Sequence, residues 1–161
     1  MNPGSPFRDR TLWMDADAAP RDVKEIVFRA ALRVELRTVL VANQRMSTPL
    51  NNPHVTAVVV SGGPDVADDY IVEHASEGDL AVTADIPLAA ALVEKGLVVL
   101  DPRGDRYSEE NVRERLSVRD FMASLRDSGV DTGGPKPYGA ADKRAFANAL
   151  DRTLTAIGGG G

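Results

Sequence analysis

Short apolar segments alternate with amphipathic ones along most of the chain, a pattern typical of α/β proteins. Residues 20–35 carry apolar side chains at three- and four-residue spacing, which predicts a helix with one buried face. Similar helices are predicted at residues 64–76 and 87–95. Because the connections leave room only for crossovers, the strands should form a parallel sheet with helices on both faces. The apolar runs of strand length are residues 11–14, 37–42, 55–60, 80–83 and 97–100.

The remainder of the sequence predicts one domain with a flexible segment at each end. Two more helices are expected at residues 108–127 and 140–157, joined by a segment rich in glycine and proline. Residues 1–10 contain two prolines, a glycine and mixed charges, so we expect a flexible leader outside the fold. The glycines at 158–161 should form a flexible tail. A single domain over residues 11–157 is long enough to bury a sizeable core.

Composition excludes several functional classes. The chain has no cysteine, which rules out disulfides, zinc-thiolate sites and thiol catalysis. A net charge of −5 argues against coating nucleic acid through bulk charge, although it leaves room for a local basic groove. No apolar run approaches the ~20 residues of a membrane span, and the first residues lack a signal-peptide core. We therefore expect a cytoplasmic protein without a membrane partner.

Polar side chains follow each predicted strand. Because the carboxyl ends of parallel strands meet at one edge of a sheet, these side chains should converge there. Crowded carboxylates repel one another unless cations compensate, and hard oxygen ligands suit Mg²⁺ or Mn²⁺ in phosphodiester cleavage. Helix capping or a favourable helix-dipole interaction is the competing interpretation for Asp17, Asp65 and Asp85. The residues after the strands are Asp15 and Asp17, Asn43, Ser61 with Asp65, Asp85, and Asp101.

Six motifs in the same order give the chain a family resemblance over about residues 11–152. It resembles the bacterial YaiI/YqxD family, which is placed among PIN-like domains, whose better-known members are metal-dependent nucleases. The resemblance implies a three-layer PIN-like fold with a central parallel sheet in the order 3-2-1-4-5. The family commonly has cysteine where this chain has Ala19. The motifs are Asp15-Ala-Asp-Ala-Ala-Pro20, Asp65-Val-Ala-Asp68, Gly78-Asp-Leu-Ala-Val-Thr-Ala-Asp-Ile-Pro-Leu-Ala89, Pro102-Arg-Gly-Asp-Arg-Tyr107, Arg119-Asp-Phe-Met122 and Thr132-Gly-Gly-Pro135.

The resemblance also implies roles for individual acids. Asp15 matches the first PIN acid at the end of strand one, and Asp85 matches the later acid. Asp68 corresponds to the acid that PIN domains present from a helix, with Asp65 one turn before it. These positions imply that Asp15, Asp68 and Asp85 hold Mg²⁺ or Mn²⁺. Asp17 would assist catalysis as a further ligand or outer-shell base.

Substrate contacts are expected around the same edge. Six arginines are interleaved with five acids over residues 103–126, so the local charge is almost balanced. Arg103 and Arg106 follow the fifth strand and could grip phosphate, while Tyr107 could stack on a base. The hypothesis is a metal-dependent nuclease that acts on RNA. Further substrate contacts are predicted at Asn43, Ser61, Asp65 and Thr83.

Two other functions stay open. A haloacid-dehalogenase-like phosphatase would use Asp15 as nucleophile, Asp17 as acid and Ser61 as a phosphate-binding hydroxyl. That match is incomplete, because Ala18-Ala19 replaces the usual threonine or valine pattern and no lysine is suitably placed. A non-catalytic nucleic-acid-binding domain is the third interpretation. The choice of RNA or DNA, endo- or exonuclease action, a homodimer and a protein inhibitor are also open.

Overall fold

The computed structural model describes residues 5–134 and 136–158. In this part of the chain a six-stranded sheet has the order β3-β2-β1-β4-β5-β6. The order of the first five strands is the predicted one, and these strands are parallel, as predicted. Strand β6 adds an antiparallel edge. The strands are β1 Thr11–Asp15, β2 Arg37–Ala42, β3 Val55–Val59, β4 Leu80–Val82, β5 Val98–Leu100 and β6 Arg106–Tyr107. The helices are α1 Arg21–Val34, α2 Val66–His74, α3 Ile86–Glu94, α4 Glu109–Asp127 and α5 Ala140–Ile157.

Helices cover both faces of the sheet and produce two hydrophobic layers. Along β1 the side chains alternate, so Leu12 and Met14 enter one layer while Trp13 enters the other. The first layer contains α1 and α5, with Phe146 among its buried residues. The second contains α2, α3 and the start of α4, where Ile71 lies in the core. The sheet between these two helix layers gives a three-layer α/β arrangement.

Asp79 anchors the amino end of the sheet. Its buried carboxylate accepts hydrogen bonds from the Thr11 backbone N–H and the Trp13 indole at 3.0 Å each. A third bond comes from the Ser76 backbone N–H at 2.9 Å. These contacts fix the start of β4 against β1, and the parallel register then aligns Met14 with Val82 near the other end. The carboxyl ends of the two strands consequently lie side by side.

The segment before β1 differs from the flexible leader expected at residues 1–10. Phe7 is 5% exposed and belongs to the layer of α1 and α5. The Arg10 guanidinium donates a hydrogen bond to the Gly78 carbonyl. Residues 5–10 are therefore part of the packed body, and residues 1–4 lie outside the described residues. Of the predicted tail, Gly158 follows α5, and residues 159–161 lie outside the described part.

Helix α4 is the least buried helix. Its nineteen residues are all described, and Val112 alone among them is buried. Farther along α4, the large apolar side chains of Val118, Phe121 and Met122 are exposed. Among the described residues, no helix is long and apolar enough to cross a membrane.

Candidate active site at the carboxyl edge of the sheet

Three elements bring aspartates to the carboxyl edge of the sheet. β1, in the middle of the sheet, ends at Asp15. Asp85 follows β4 and occupies the N-cap position of α3. Asp68 comes from the first turn of α2. The parallel pairing of β1 with β4 places the first two at the same end of adjacent strands, as the sequence predicted.

The charges of these carboxylates interact strongly. Burial, followed by the charges of Asp85 and Asp15, raises the pKa of Asp68 from 3.8 to about 7. A hydrogen bond with the Asp85 carboxyl and the charge of Asp65 add to the increase. The pKa of Asp15 is also raised, by burial first and then by the charges of Asp17 and Asp85. We call these five aspartates the acid cluster.

Asp85 combines capping with membership of the acid cluster. Its Oδ1 accepts a hydrogen bond from the Leu88 backbone N–H at 2.9 Å, which caps α3. The Asp85 backbone N–H donates to the buried Thr83 hydroxyl at 3.0 Å. The cap uses one carboxylate oxygen, so it does not exclude the interaction with Asp68. Thr83, predicted as a substrate contact, is buried and orients the Asp85 backbone.

Neither Asp17 nor Asp65 caps a helix through its side chain, although Asp65 occupies the N-cap position of α2. Pro20 occupies the N-cap position of α1 without a side-chain cap, while the Asp17 carboxylate accepts a 2.7 Å bond from the Asn43 backbone N–H. Asp65 precedes α2 with φ 63° and makes no side-chain cap bond. Left-handed backbone is uncommon for a residue other than glycine and is concentrated at functional sites. Ser61, beyond the end of β3, is exposed near the same edge.

Arg103 and Arg106 have different environments. The Arg103 guanidinium donates to the Asp142 carboxylate at 2.9 Å and also to the Lys136 carbonyl. It therefore joins the turn after β5 to α5, which differs from the predicted phosphate contact. Arg106 is exposed on the edge strand β6, where a phosphate could reach it.

Tyr107 does not have the accessible ring that base stacking requires. The residue is 3% exposed, and its hydroxyl donates to the Asp101 carboxylate at 3.1 Å. The Arg115 guanidinium lies 4.8 Å from the ring centroid and covers one face of the ring. The prediction of a stacking role for Tyr107 is wrong because the tertiary packing of α4 buries the ring.

A groove that the sequence pattern did not predict lies between the start of α3 and α4. Its volume is about 440 Å³, and two of its lining residues, Ala84 and Ile86, immediately flank Asp85. The signal in the sequence is a helical spacing that places Asn111, Arg115 and Val118 on one side of α4. A second groove of about 460 Å³ lies between α1 and α5, and none of its lining residues belongs to the acid cluster. The α3–α4 groove is lined by Ala84, Ile86, Asp101, Tyr107, Asn111, Glu114, Arg115, Val118 and Arg119.

The donor chemistry of the acid cluster suits a hard divalent cation. Carboxylate oxygens are typical ligands of Mg²⁺ and Mn²⁺, and Asp15, Asp68 and Asp85 are the members that could hold one. Within residues 5–134 and 136–158, however, no three histidine, aspartate or glutamate side chains already form a group that could hold a metal ion.

The fold and this edge define a three-layer α/β protein with an acid cluster at the carboxyl end of a mainly parallel sheet. The chain belongs to the family described as "Uncharacterized BCR, YaiI/YqxD family", which it matches over residues 13–156. The resemblance inferred from the sequence motifs is thereby confirmed.

Bacterial relatives cover almost the whole chain. A UPF0178 protein from Bordetella petrii is 56% identical, over 90% of this chain and 96% of its own length. Another from Myxococcus xanthus is 58% identical, over 91% of this chain and 95% of its own. Among solved structures, homospermidine synthase from Legionella pneumophila has a TM-score of 0.47 and 12% identity, over 89% of this chain and 39% of that chain. That likeness is too weak to support an argument about function.

Proposed function

We propose that this chain is a divalent-metal-dependent phosphodiesterase that cleaves RNA at the acid cluster. The observation that supports this proposal most is that β1 and β4 bring Asp15 and Asp85 to the same end of adjacent parallel strands, where burial and their charges raise the pKa of Asp68 to about 7. Ionising all of these carboxylates together is costly, and a bound cation would remove much of that cost. Mg²⁺ or Mn²⁺, when bound, would polarise the phosphodiester and lower the pKa of a water molecule.

The residues of the chain would have distinct roles. Asp15, Asp68 and Asp85 would hold the cation, and Thr83 would keep Asp85 in place through its hydrogen bond to the backbone. Asp17 is an exposed member of the acid cluster, so it could accept a proton from the attacking water. Arg106 would contact the phosphate backbone of the substrate.

The test compares wild type with Asp15→Asn and Asp85→Asn on labelled RNA, labelled DNA and a phosphate monoester, with Mn²⁺ and with chelator. Asp69→Asn is the matched control, since Asp69 lies beside Asp68 in the first turn of α2 but is exposed. We expect chelator-sensitive RNA cleavage that falls by about 100-fold or more in the two cluster variants, the loss typical of removing electrostatic stabilisation. The control should cleave like wild type.

Other outcomes would identify a different function. Monoester turnover with a trapped phosphoryl group on Asp15 would indicate the phosphatase. RNA binding without cleavage in Mn²⁺ would indicate a binding domain. Metal binding is measured separately by thermal unfolding, because a cation that binds only the folded state raises the melting temperature. Failure of Mn²⁺ and Mg²⁺ to raise it would contradict the metal site.

A further inference from the structure

The α3–α4 groove adjoins the acid cluster and combines apolar walls with cationic side chains. Ile86, next to Asp85, and Val118 on α4 are among its apolar lining residues. Arg115 and Arg119 contribute positive charge, and Asp101 and Glu114 contribute negative charge. Its volume of about 440 Å³ falls within the ~300–1,000 Å³ range of small-ligand sites. A planar aromatic group attached to an anion would match both features of the groove.

Part of the charge in the groove is already neutralised. The Arg115 guanidinium lies 2.7 Å from a carboxylate oxygen of Asp105 and 3.6 Å from one of Asp101. The side chain of Arg119 is 51% exposed, and its ion pair is with the more exposed Asp120. Because exposed ion pairs are weak, Arg119 can exchange this partner for a phosphate at little cost.

Helix α4 carries exposed apolar side chains, of which Val118 lines the groove. Val118 is 53% exposed, Phe121 62% and Met122 38%, and their spacing of three and four residues places them on one side of the helix. Proteins that bind single strands stack the bases on exposed aromatic rings and bind the backbone with arginine and lysine.

We propose that the α3–α4 groove binds an unpaired nucleobase of the substrate, that Phe121 stacks on a neighbouring base, and that Arg119 contacts a phosphate of the same strand. This inference rests on the proposed function and narrows its substrate to single-stranded nucleic acid. A base within a duplex is paired and stacked on both faces, so it cannot enter the groove. The groove would hold the strand beside Asp85, where cleavage is proposed.

A second copy of the chain is a weaker candidate for this surface. A specific dimer buries ~800 Å² on each partner, whereas the exposed apolar residues here occupy about one turn of a single helix. Arginines beside an acidic site instead complement the alternating apolar bases and anionic phosphates of a single strand.

The experiment measures binding of a labelled oligouridylate by fluorescence anisotropy in the Asp15→Asn background, which blocks the proposed cleavage and lowers repulsion of the phosphates. Val118→Ser and Phe121→Ala are compared with Val130→Ser, a control valine that is 48% exposed beyond the end of α4. We expect each groove variant to bind about tenfold more weakly, the effect of losing one stacked base, and the control to bind like its parent. Replacing the strand by an abasic one should remove the difference between the proteins.

Three results would overturn the groove assignment. They are unchanged binding in both groove variants, equal binding of abasic and normal strands, and tighter binding of duplex than of single strand. Sedimentation supplies a fourth test. If the protein is a dimer and Val118→Ser and Phe121→Ala dissociate it without affecting RNA binding, the surface is a protein interface.

The experiments distinguish a wrong assignment of the groove from a wrong proposed function. If the strand binds the groove but wild type does not cleave it with Mn²⁺, the function is wrong and the groove stands. If wild type cleaves RNA and Phe121→Ala leaves its KM unchanged, the function stands and the groove assignment is wrong.

Discussion

Replacing Asp68 by asparagine should stabilise the protein at alkaline pH and have little effect in acid. The folded state holds the Asp68 proton with a pKa of about 7, whereas the ordinary value is 3.8. Between these pH values the folded state binds more protons than the unfolded chain, so the free energy of unfolding falls as pH rises. Asp68→Asn removes the ionisable group but keeps a similar shape. The free energy of unfolding of this variant should therefore fall less over the same pH range.

The size of the effect follows from the pKa and the exposure of the side chain. The change from 3.8 to about 7 corresponds to at most about 4 kcal/mol, at about 1.4 kcal/mol for each pH unit. Asp68 is only partly buried, and screening by water reduces this to about 1–2 kcal/mol. For a chain of this size, Asp68→Asn should melt about 3–6 °C above wild type at about pH 8.

The effect is measured by thermal unfolding without metal, from about pH 4.5 to about pH 8.5. The proteins compared are wild type, Asp68→Asn and Asp69→Asn. Asp69 is the appropriate control because it lies in the same first turn of α2 and shares its favourable interaction with the helix dipole. Losing only that interaction destabilises slightly, so Asp69→Asn should melt at or below wild type. Equal shifts in both variants, or a stabilisation of Asp68→Asn that does not grow with pH, would refute the repulsion within the cluster.

Three predictions concern the fold. Asp79→Ala leaves three backbone or indole donors without their carboxylate and should lower the free energy of unfolding in urea by about 3–5 kcal/mol; a loss below about 1 kcal/mol would contradict the anchoring role. Phe7→Ala should cost about 3 kcal/mol in the same assay if residues 5–10 are packed, and a neutral result would support the flexible leader. Gly104→Ala should cost more than Gly129→Ala, about 2–4 against about 1 kcal/mol, because both have positive φ but a Cβ at Gly104 would lie 2.6 Å from the Ala145 backbone. Equal losses at the two glycines would show that the close approach is relieved by movement.

Hydrophobic patterning predicted the elements of the fold well because most of them are buried on a regular period. The strand order came from the family resemblance, and the structure confirms it. The sequence predicts that α2 begins at residue 64, but the helix begins at Val66 because the Asp65 backbone is left-handed. The two-residue strand β6 is too short to show a period, and it exists through pairing across the turn after β5.

The acids of the site were predictable, whereas their neighbours were not. A carboxylate after a buried strand can be located from sequence, since the carboxyl ends of parallel strands share one edge. The partner of Arg103 is Asp142, 39 residues away, and only the packing of α5 brings them together. Tyr107 is buried for a similar reason, through α4. Whether a side chain near the edge is free to contact substrate depends on helices that the local pattern does not position.

The proton on Asp68 and the proposed metal ion relieve the same repulsion, so they should compete. Below about pH 7 Asp68 is protonated in the folded state and its carboxyl is a poor ligand for a cation. The affinity for Mn²⁺ should therefore weaken as pH falls through 7, while the metal-free protein becomes more stable. A domain in which the acids serve only to favour helix N-termini would bind neither proton nor metal unusually tightly. If metal affinity and metal-free stability of wild type change in opposite directions with pH, the acid cluster is linked to cation binding. The same trends in Asp68→Asn would contradict that link.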